Sequence, residues 1–174
     1  TIIAVTFLGI LMHAFAEKCV LMDGAENFNF QQYFSIPLAY VTHAQYVPES
    51  NVCRDYMTSR GPDGVPITSF TIKDGSNPSG APVECNNIQI NGKKGQFTST
   101  CKLPSGGTYQ VTSSIVATDN ENYAILHRCG TSGPGNVLVL QTKNDASVPK
   151  EVKDYFQGKG WDISRWISRQ NVRC

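Results

Sequence analysis

Six cysteines (Cys19, Cys53, Cys85, Cys101, Cys129 and Cys174) and three histidines (His13, His43 and His127) are the side chains of this sequence best suited to covalent or metal chemistry. Their spacing argues against both. No two cysteines stand as CxxC, and the histidines are too scattered to complete a zinc site with them. His127 precedes Cys129 by two residues, an arrangement that would suit a thiolate nucleophile with its base. In an exported chain, however, an even cysteine count implies disulfides, and a bridged Cys129 has no thiolate to offer.

For one pair the sequence is explicit. The stretch CNNIQINGKKGQFTSTC, residues 85–101, sets Cys85 and Cys101 at equal distance from an NGKKG turn. In an antiparallel hairpin centred on Lys93 they face each other directly, with Cβ atoms about 4.5–5.5 Å apart, close to what a disulfide needs. Such a bridge locks register and, by closing so short a loop, restricts the unfolded chain by roughly 3 kcal/mol. Cys19, Cys53, Cys129 and Cys174 are left for two long-range bridges. Pairing Cys19 with Cys129 and Cys53 with Cys174 would tie down both termini, and the residues alone leave the other two pairings open.

Export itself is read from residues 1–16, TIIAVTFLGILMHAFA. They carry no Lys, Arg, Asp or Glu and end in Ala14-Phe15-Ala16, the small-x-small pattern of a signal-peptidase site. A membrane span needs about 20 apolar residues, and this run meets Glu17 and Lys18 first. We therefore expect a signal peptide over 1–16 and a single mature domain over 17–174.

Charge and motif content exclude several function classes. Lys+Arg 15 against Asp+Glu 14 leaves a net charge of +1, and no window holds the basic cluster that nucleic acid or an anionic membrane would attract. Neither is expected as a partner. There is no GxSxG, no HExxH and no Gly-rich loop followed by Lys. GTSGPG at 130–135 joins two predicted strands, so no helix N-terminus is there to hold a phosphate. The expectation is a monomer that is not an enzyme and uses no cofactor and no metal.

The elements that must position any site are strands. Extended, β-rich runs fall at 37–46, 51–59, 65–73, 81–90, 96–103, 108–118, 123–129 and 136–143. Strong turn signals separate them, among them RGPDG, DGSNPSG, NGKKG, PSGG and TDNEN. Eight strands joined in sequence by short turns, with no long crossover, point to an up-and-down antiparallel barrel. Such a barrel has room for one small ligand. In 108–118, Tyr109, Val111, Ser113, Ile115 and Ala117 share a face, and in 65–73 Phe70 and Ile72 oppose Ser69 and Thr71. Val152, Tyr155 and Phe156 at helical spacing, with Pro149 before and Gly158 after, predict a C-terminal helix over 149–157. A second short segment comes after the helix, with Trp161, Ile163, Trp166 and Ile167 as its anchors.

Taken together, Cys19 followed by NFNFQQYFSIPLAYVTH, VCRDY at 52–56, ATDNENYAILHRC at 117–129, VLVLQTK at 137–143 and the late Cys174 resemble the salivary lipocalins of blood-feeding triatomine bugs. The likeness covers essentially the whole chain. It lies with the triabin/procalin/pallidipin-like group of the calycin superfamily, nearest its procalin side. It implies an eight-stranded lipocalin barrel, the pairing Cys19–Cys129, Cys53–Cys174 and Cys85–Cys101, and secretion in saliva that blunts host haemostasis and provokes allergy. Thr118 and Asp119 match part of the lipocalin Thr-Asp-Tyr motif, with Tyr123 displaced. Ile36-Pro37-Leu38 replaces the Gly-x-Trp of the first strand, and Gln141 and Thr142 stand where a late Arg is usual.

Within that group one fold carries several activities, so the site must decide. Haem carriage, as in the related nitrophorins, would need a histidine near 65–73, where there is none. Capture of a biogenic amine would need a buried carboxylate, for which Asp55 and Glu84 are the candidates. An eicosanoid would need an apolar tunnel with a hydroxyl or cationic end, which Tyr40, Arg54, Tyr56, Phe70 and Tyr109 could supply. The leading expectation is a small hydrophobic or amphipathic host mediator, sequestered without turnover so that platelet aggregation is inhibited. The alternative is an inhibitor that binds a coagulation protease or platelet receptor, though the near-neutral charge gives no acidic surface for a basic exosite.

Overall fold

Because each alternating segment is followed at once by a turn, neighbours in sequence become neighbours in space. The computed structural model describes residues 18–72 and 79–174; the expected signal peptide lies outside them. Eight strands form, β1 (Leu38–Ala44), β2 (Asp55–Arg60), β3 (Pro66–Phe70), β4 (Val83–Gln89), β5 (Gln96–Lys102), β6 (Thr108–Thr118), β7 (Tyr123–Cys129) and β8 (Asn136–Gln141). Each is antiparallel to the next, and β1 pairs with both β8 and β2. The sheet thus closes on itself as a barrel, which leaves no edge among the eight. A two-residue strand, β9 (Ile167–Ser168), adds to the end of β1 at His43 and Ala44.

Register follows the hairpin symmetry. Cys85 pairs with Cys101 across β4 and β5 and is bridged to it. The other disulfides are Cys19–Cys129 and Cys53–Cys174, with sequence separations of 110 and 121. One fastens the N-terminal arm to β7; the other fastens the C-terminus beside β2.

Three local expectations are corrected. The run 51–59 is not one strand: Pro48 and the turn-forming Glu49, Ser50 and Asn51 open it with a 3-10 helix, Glu49–Cys53, and β2 begins only at Asp55. The helix α2 runs Lys150–Lys159, past Gly158, and ends at Gly160 in the left-handed region (φ 66°). There Trp161 N–H reaches the Phe156 carbonyl, Gly160 N–H reaches that of Gln157, and the Trp161 ring packs on Phe156. These are the bonds and apolar contact of a Schellman stop. In β6, a bulge between Ile115 and Ala117 shifts the alternation. Ile115 stays in the inner core, but Ala117 turns outward with Val116.

The outward apolar residues are not left in water. Val152 and Phe156 of α2, with Trp166, cover Val116, Ile125, Val137 and Val139, which explains why β8 is buried along its whole length. Inside, the N-terminal arm plugs one end of the barrel. Gly24 lies so close to Lys94 and Gly95 that a Cβ there would clash with backbone. The Ala25 amide donates to the Ile115 carbonyl at 2.7 Å. Asn120, at φ 62°, exchanges bonds with the backbone of Asn27 and Asn29. Phe28 and Phe34 are buried beneath this arm, and the short helix α1 (Phe30–Tyr33) bridges them. Phe34 meets Phe97 edge-on at 5.1 Å.

Candidate functional site

Between the plugged end and the opposite loops the barrel holds a cavity of ≈ 400 Å³, within the range that accepts a small organic ligand. Phe34, Phe70, Ile72, Phe97, Leu126 and Leu140 are among the apolar residues of its wall, and the Cys85–Cys101 bridge lines it too. Strand alternation brings two cations into this apolar space. Arg54, Tyr56 and Thr58 share one face leading into β2, and Ala124, Leu126 and Arg128 share one face of β7; all six line the cavity.

These groups form one cluster. The Arg54 Nη1 donates to the Tyr56 phenol oxygen at 3.3 Å, and its guanidinium lies 4.6 Å from the centroid of the Phe70 ring, in cation–π range. Tyr56 meets Phe70 edge-on at 5.2 Å. Arg128 Nη2 donates to the Oδ1 of Asn51 at 3.2 Å, which ties it to the 3-10 turn at the barrel rim. No Asp or Glu is among the described residues that line the cavity. Two guanidiniums therefore share the site without a carboxylate.

The electrostatics express this imbalance. Burial pushes the Tyr56 phenol up, but charge and hydrogen bonds from Arg54 and Arg128 more than offset it and hold the phenol below its ordinary value. Burial, opposed by Tyr56 and reinforced by Arg54, pulls Arg128 below the usual arginine range. Tyr109 is raised, chiefly by burial, with the two arginines opposing. Tyr56 and Arg128 are half-buried, and both line the cavity. An anion placed there would meet donors already in position.

A neutral polar patch lies on the wall of β3 to β6. Asn87, 2 % exposed, donates to the Pro66 and Cys85 carbonyls and to Thr68 Oγ1, and accepts from the Ser99 hydroxyl at 2.7 Å. This chain leaves the Thr68 proton and the Ser99 lone pairs unused. Ser113, paired in register with Arg128, is 3 % exposed and also lines the cavity. Such groups suit an oxygen on a ligand chain.

Of the residues named from sequence, Arg54, Tyr56, Phe70 and Tyr109 all line the cavity. Tyr40 does not. Its neighbour Ala39 takes the inward position, so alternation turns Tyr40 outward, with the Arg169 guanidinium 5.3 Å from its ring. The carboxylates proposed for an amine are also outside. Asp55 bonds Arg169 at 2.7 Å, and exposed Glu84 stands opposite Lys102 on the outer wall. Sequence reasoning missed Arg128, although the alternation Ala124, Leu126, Arg128 carried the signal. It also missed the Asn87–Ser99 pair, which only the hairpin register brings together.

His127 and His43 serve the termini. The Nδ1 of His127 accepts the Met22 amide at 3.1 Å, and its Nε2 lies 3.6 Å from Cys19 Sγ. Cys19, His127 and Cys129 are thus close enough for a metal, but both sulfurs are spent in the Cys19–Cys129 disulfide. His43 is buried where β9 crosses β1, with Thr42 Oγ1 3.0 Å from its Nδ1. Burial depresses both imidazoles.

Comparison with known proteins places this geometry among relatives. The triabin family model matches residues 13–154. The chain is 57% identical to platelet inhibitor triplatin-2 of Triatoma infestans over 178 residues, covering 99% of this chain and 98% of that one. It is 42% identical to pallidipin of Meccus pallidipennis, covering 99% and 96%. Procalin, the relative suggested by sequence reading, is more distant at 26% identity, so the likeness is corrected toward the platelet inhibitors. Among solved structures, a mutant LTBP1 in complex with leukotriene C4 aligns with a TM-score of 0.67 at 22% identity, over 83% of this chain and 91% of that one. At that identity the likeness speaks for the lipocalin-like barrel alone.

Proposed function

The chain belongs to the triabin family of triatomine salivary lipocalins, and from that premise we propose that it is a secreted, salivary platelet inhibitor that sequesters an oxygenated fatty acid of the eicosanoid class. It is a ligand-binding protein and not an enzyme. The single observation that carries the choice of ligand is the pair Arg54 and Arg128, converging in an apolar cavity whose described lining has no carboxylate.

Charge sign decides between the mediators. At the effective dielectric of about 20 suited to such sites, two unit charges about 4 Å apart interact by roughly 4 kcal/mol. That energy favours a carboxylate beside either guanidinium and opposes the ammonium of an amine by the same amount. The apolar wall takes up the acyl chain, and the hydroxyls of Thr68, Ser99 and Ser113 offer bonds to oxygens along it. In the LTBP1 complex a barrel of similar shape takes leukotriene C4, a molecule of this class. Stoichiometric removal of a lipid agonist then inhibits platelets, and platelet inhibition is what the name of triplatin-2 gives for that relative.

The test is platelet aggregation triggered by a stable thromboxane mimic. The oxidised protein should raise the mimic concentration needed in proportion to its own concentration, and presaturation with another eicosanoid acid should abolish the effect. Inhibition that persists after the cavity is filled would move the activity to a protein-binding outer surface.

A further inference from the structure

On the reading of the cavity as an anion site, we propose that Arg169, outside the barrel, is a positioning residue for Arg54: it pins the Arg54 backbone and neutralises Asp55, so that the Arg54 guanidinium is left to serve the cavity.

The inference starts from alternation. Arg54 and Tyr56 face inward, so Asp55 between them faces outward. Asp55 is the acid nearest Arg54 in sequence, and unpaired it would draw on that guanidinium and repel an anionic ligand through a single layer of sheet. Arg169, in the 3-10 turn that follows β9, closes this route. Its Nη1 donates to Asp55 Oδ1 at 2.7 Å and to the Arg54 carbonyl at 3.4 Å. That carbonyl also accepts the Val41 amide of β1 at 3.0 Å. The Arg169 side chain is only 13% exposed and is seated over Tyr40.

The covalent frame agrees. Cys53, the residue before Arg54, is bridged to Cys174. The C-terminal arm therefore grips the chain on both sides of Arg54, by a disulfide before it and an ion pair after it. Lysine at 169 would keep the charge but lose the planar guanidinium that lies over Tyr40 and holds one of its nitrogens against both acceptors. The outward Tyr40, which contributes nothing to the cavity, gains a role as the platform on which Arg169 rests.

The experiment compares a stable thromboxane mimic with a free carboxyl against its methyl ester, by calorimetry, on the full oxidised chain. Arg169→Ala should weaken the acid about tenfold and leave the ester nearly unchanged, Arg169→Lys should fall between, and adding Asp55→Asn to Arg169→Ala should recover part of the loss. Equal weakening of acid and ester would reduce Arg169 to a structural prop, and no change in either would also overturn the proposal. A readout without ligand stands beside this one: ultraviolet titration of the Tyr56 phenol, taken as the difference from a Tyr56→Phe background. In Arg169→Ala the phenol should move back up toward ordinary tyrosine, and an unmoved phenol would contradict the proposal. If the parent protein binds no acid at all, the functional reading fails, and the phenol titration still decides the role of Arg169.

Discussion

Arg54 and Tyr56 stand two residues apart on one face of the chain entering β2, and the guanidinium donates to the phenol oxygen at 3.3 Å. With Arg128 they make a site where positive charge is gathered before any ligand arrives. The first consequence concerns Arg54. Its replacement by Gln should weaken a carboxylate ligand about 10- to 100-fold, since hydrogen bonds to a charged group contribute about 1.5–3 kcal/mol. The methyl ester of the same ligand should lose much less. Parallel calorimetric titrations of the two forms check this.

A second consequence is a pH dependence at the alkaline side. The phenol of Tyr56 is held below its ordinary value, whereas burial raises Tyr33, Tyr109, Tyr123 and Tyr155, so it ionises before those four as pH rises. The phenolate then competes with the ligand for the two guanidiniums, and affinity for an acid should fall as pH passes through the Tyr56 transition. By linkage, bound acid should raise that transition. Difference absorbance of tyrosinate, with and without ligand, measures both; Tyr56→Phe should flatten the affinity profile.

On the acid side the histidines act on stability. Burial depresses His43 and His127 below their unfolded value of about 6.5. The unfolded chain therefore takes up protons first, and the stability that these neutral imidazoles contribute is present above that value and lost as pH falls through the folded ones. Melting temperature should drop between about pH 7 and 5. His127→Gln, which keeps an acceptor for the Met22 amide, should reduce the slope of that drop.

The Cys85–Cys101 bridge joins β4 to β5 and also lines the cavity. Replacing both cysteines by Ala should cost about 3 kcal/mol in urea unfolding, because the unfolded chain regains the entropy of a short loop. It should also weaken ligand binding, since part of the cavity wall is lost. A loss of stability with unchanged affinity would show that the wall at this point does not touch the ligand.

Much of this was legible in the sequence because short-range rules governed it. Turn residues at regular intervals set the strand order, and the symmetry of Cys85 and Cys101 about the NGKKG turn set a register that the pairs of β4 and β5 reproduce. Arg54, Tyr56 and Phe70 could be proposed because charge and aromatic residues in alternating strands are few. The errors came where tertiary context overruled alternation. The β6 bulge turned Ala117 outward, and Tyr40 fell on the wrong face because the inward phase of β1 is set by its neighbours. Arg128 was passed over as one charge in a buried-looking strand. Its significance lies in meeting Arg54 across the barrel, and no local pattern encodes that meeting.

The most direct test of the central claim is calorimetric titration of the oxidised protein with a thromboxane mimic, a cysteinyl leukotriene, serotonin and noradrenaline under one set of conditions. The pair Arg54 and Arg128 in a cavity lined without carboxylates predicts saturable 1:1 binding of at least one of the two acids and none of either amine. Tight binding of an amine with no response to the acids would contradict it.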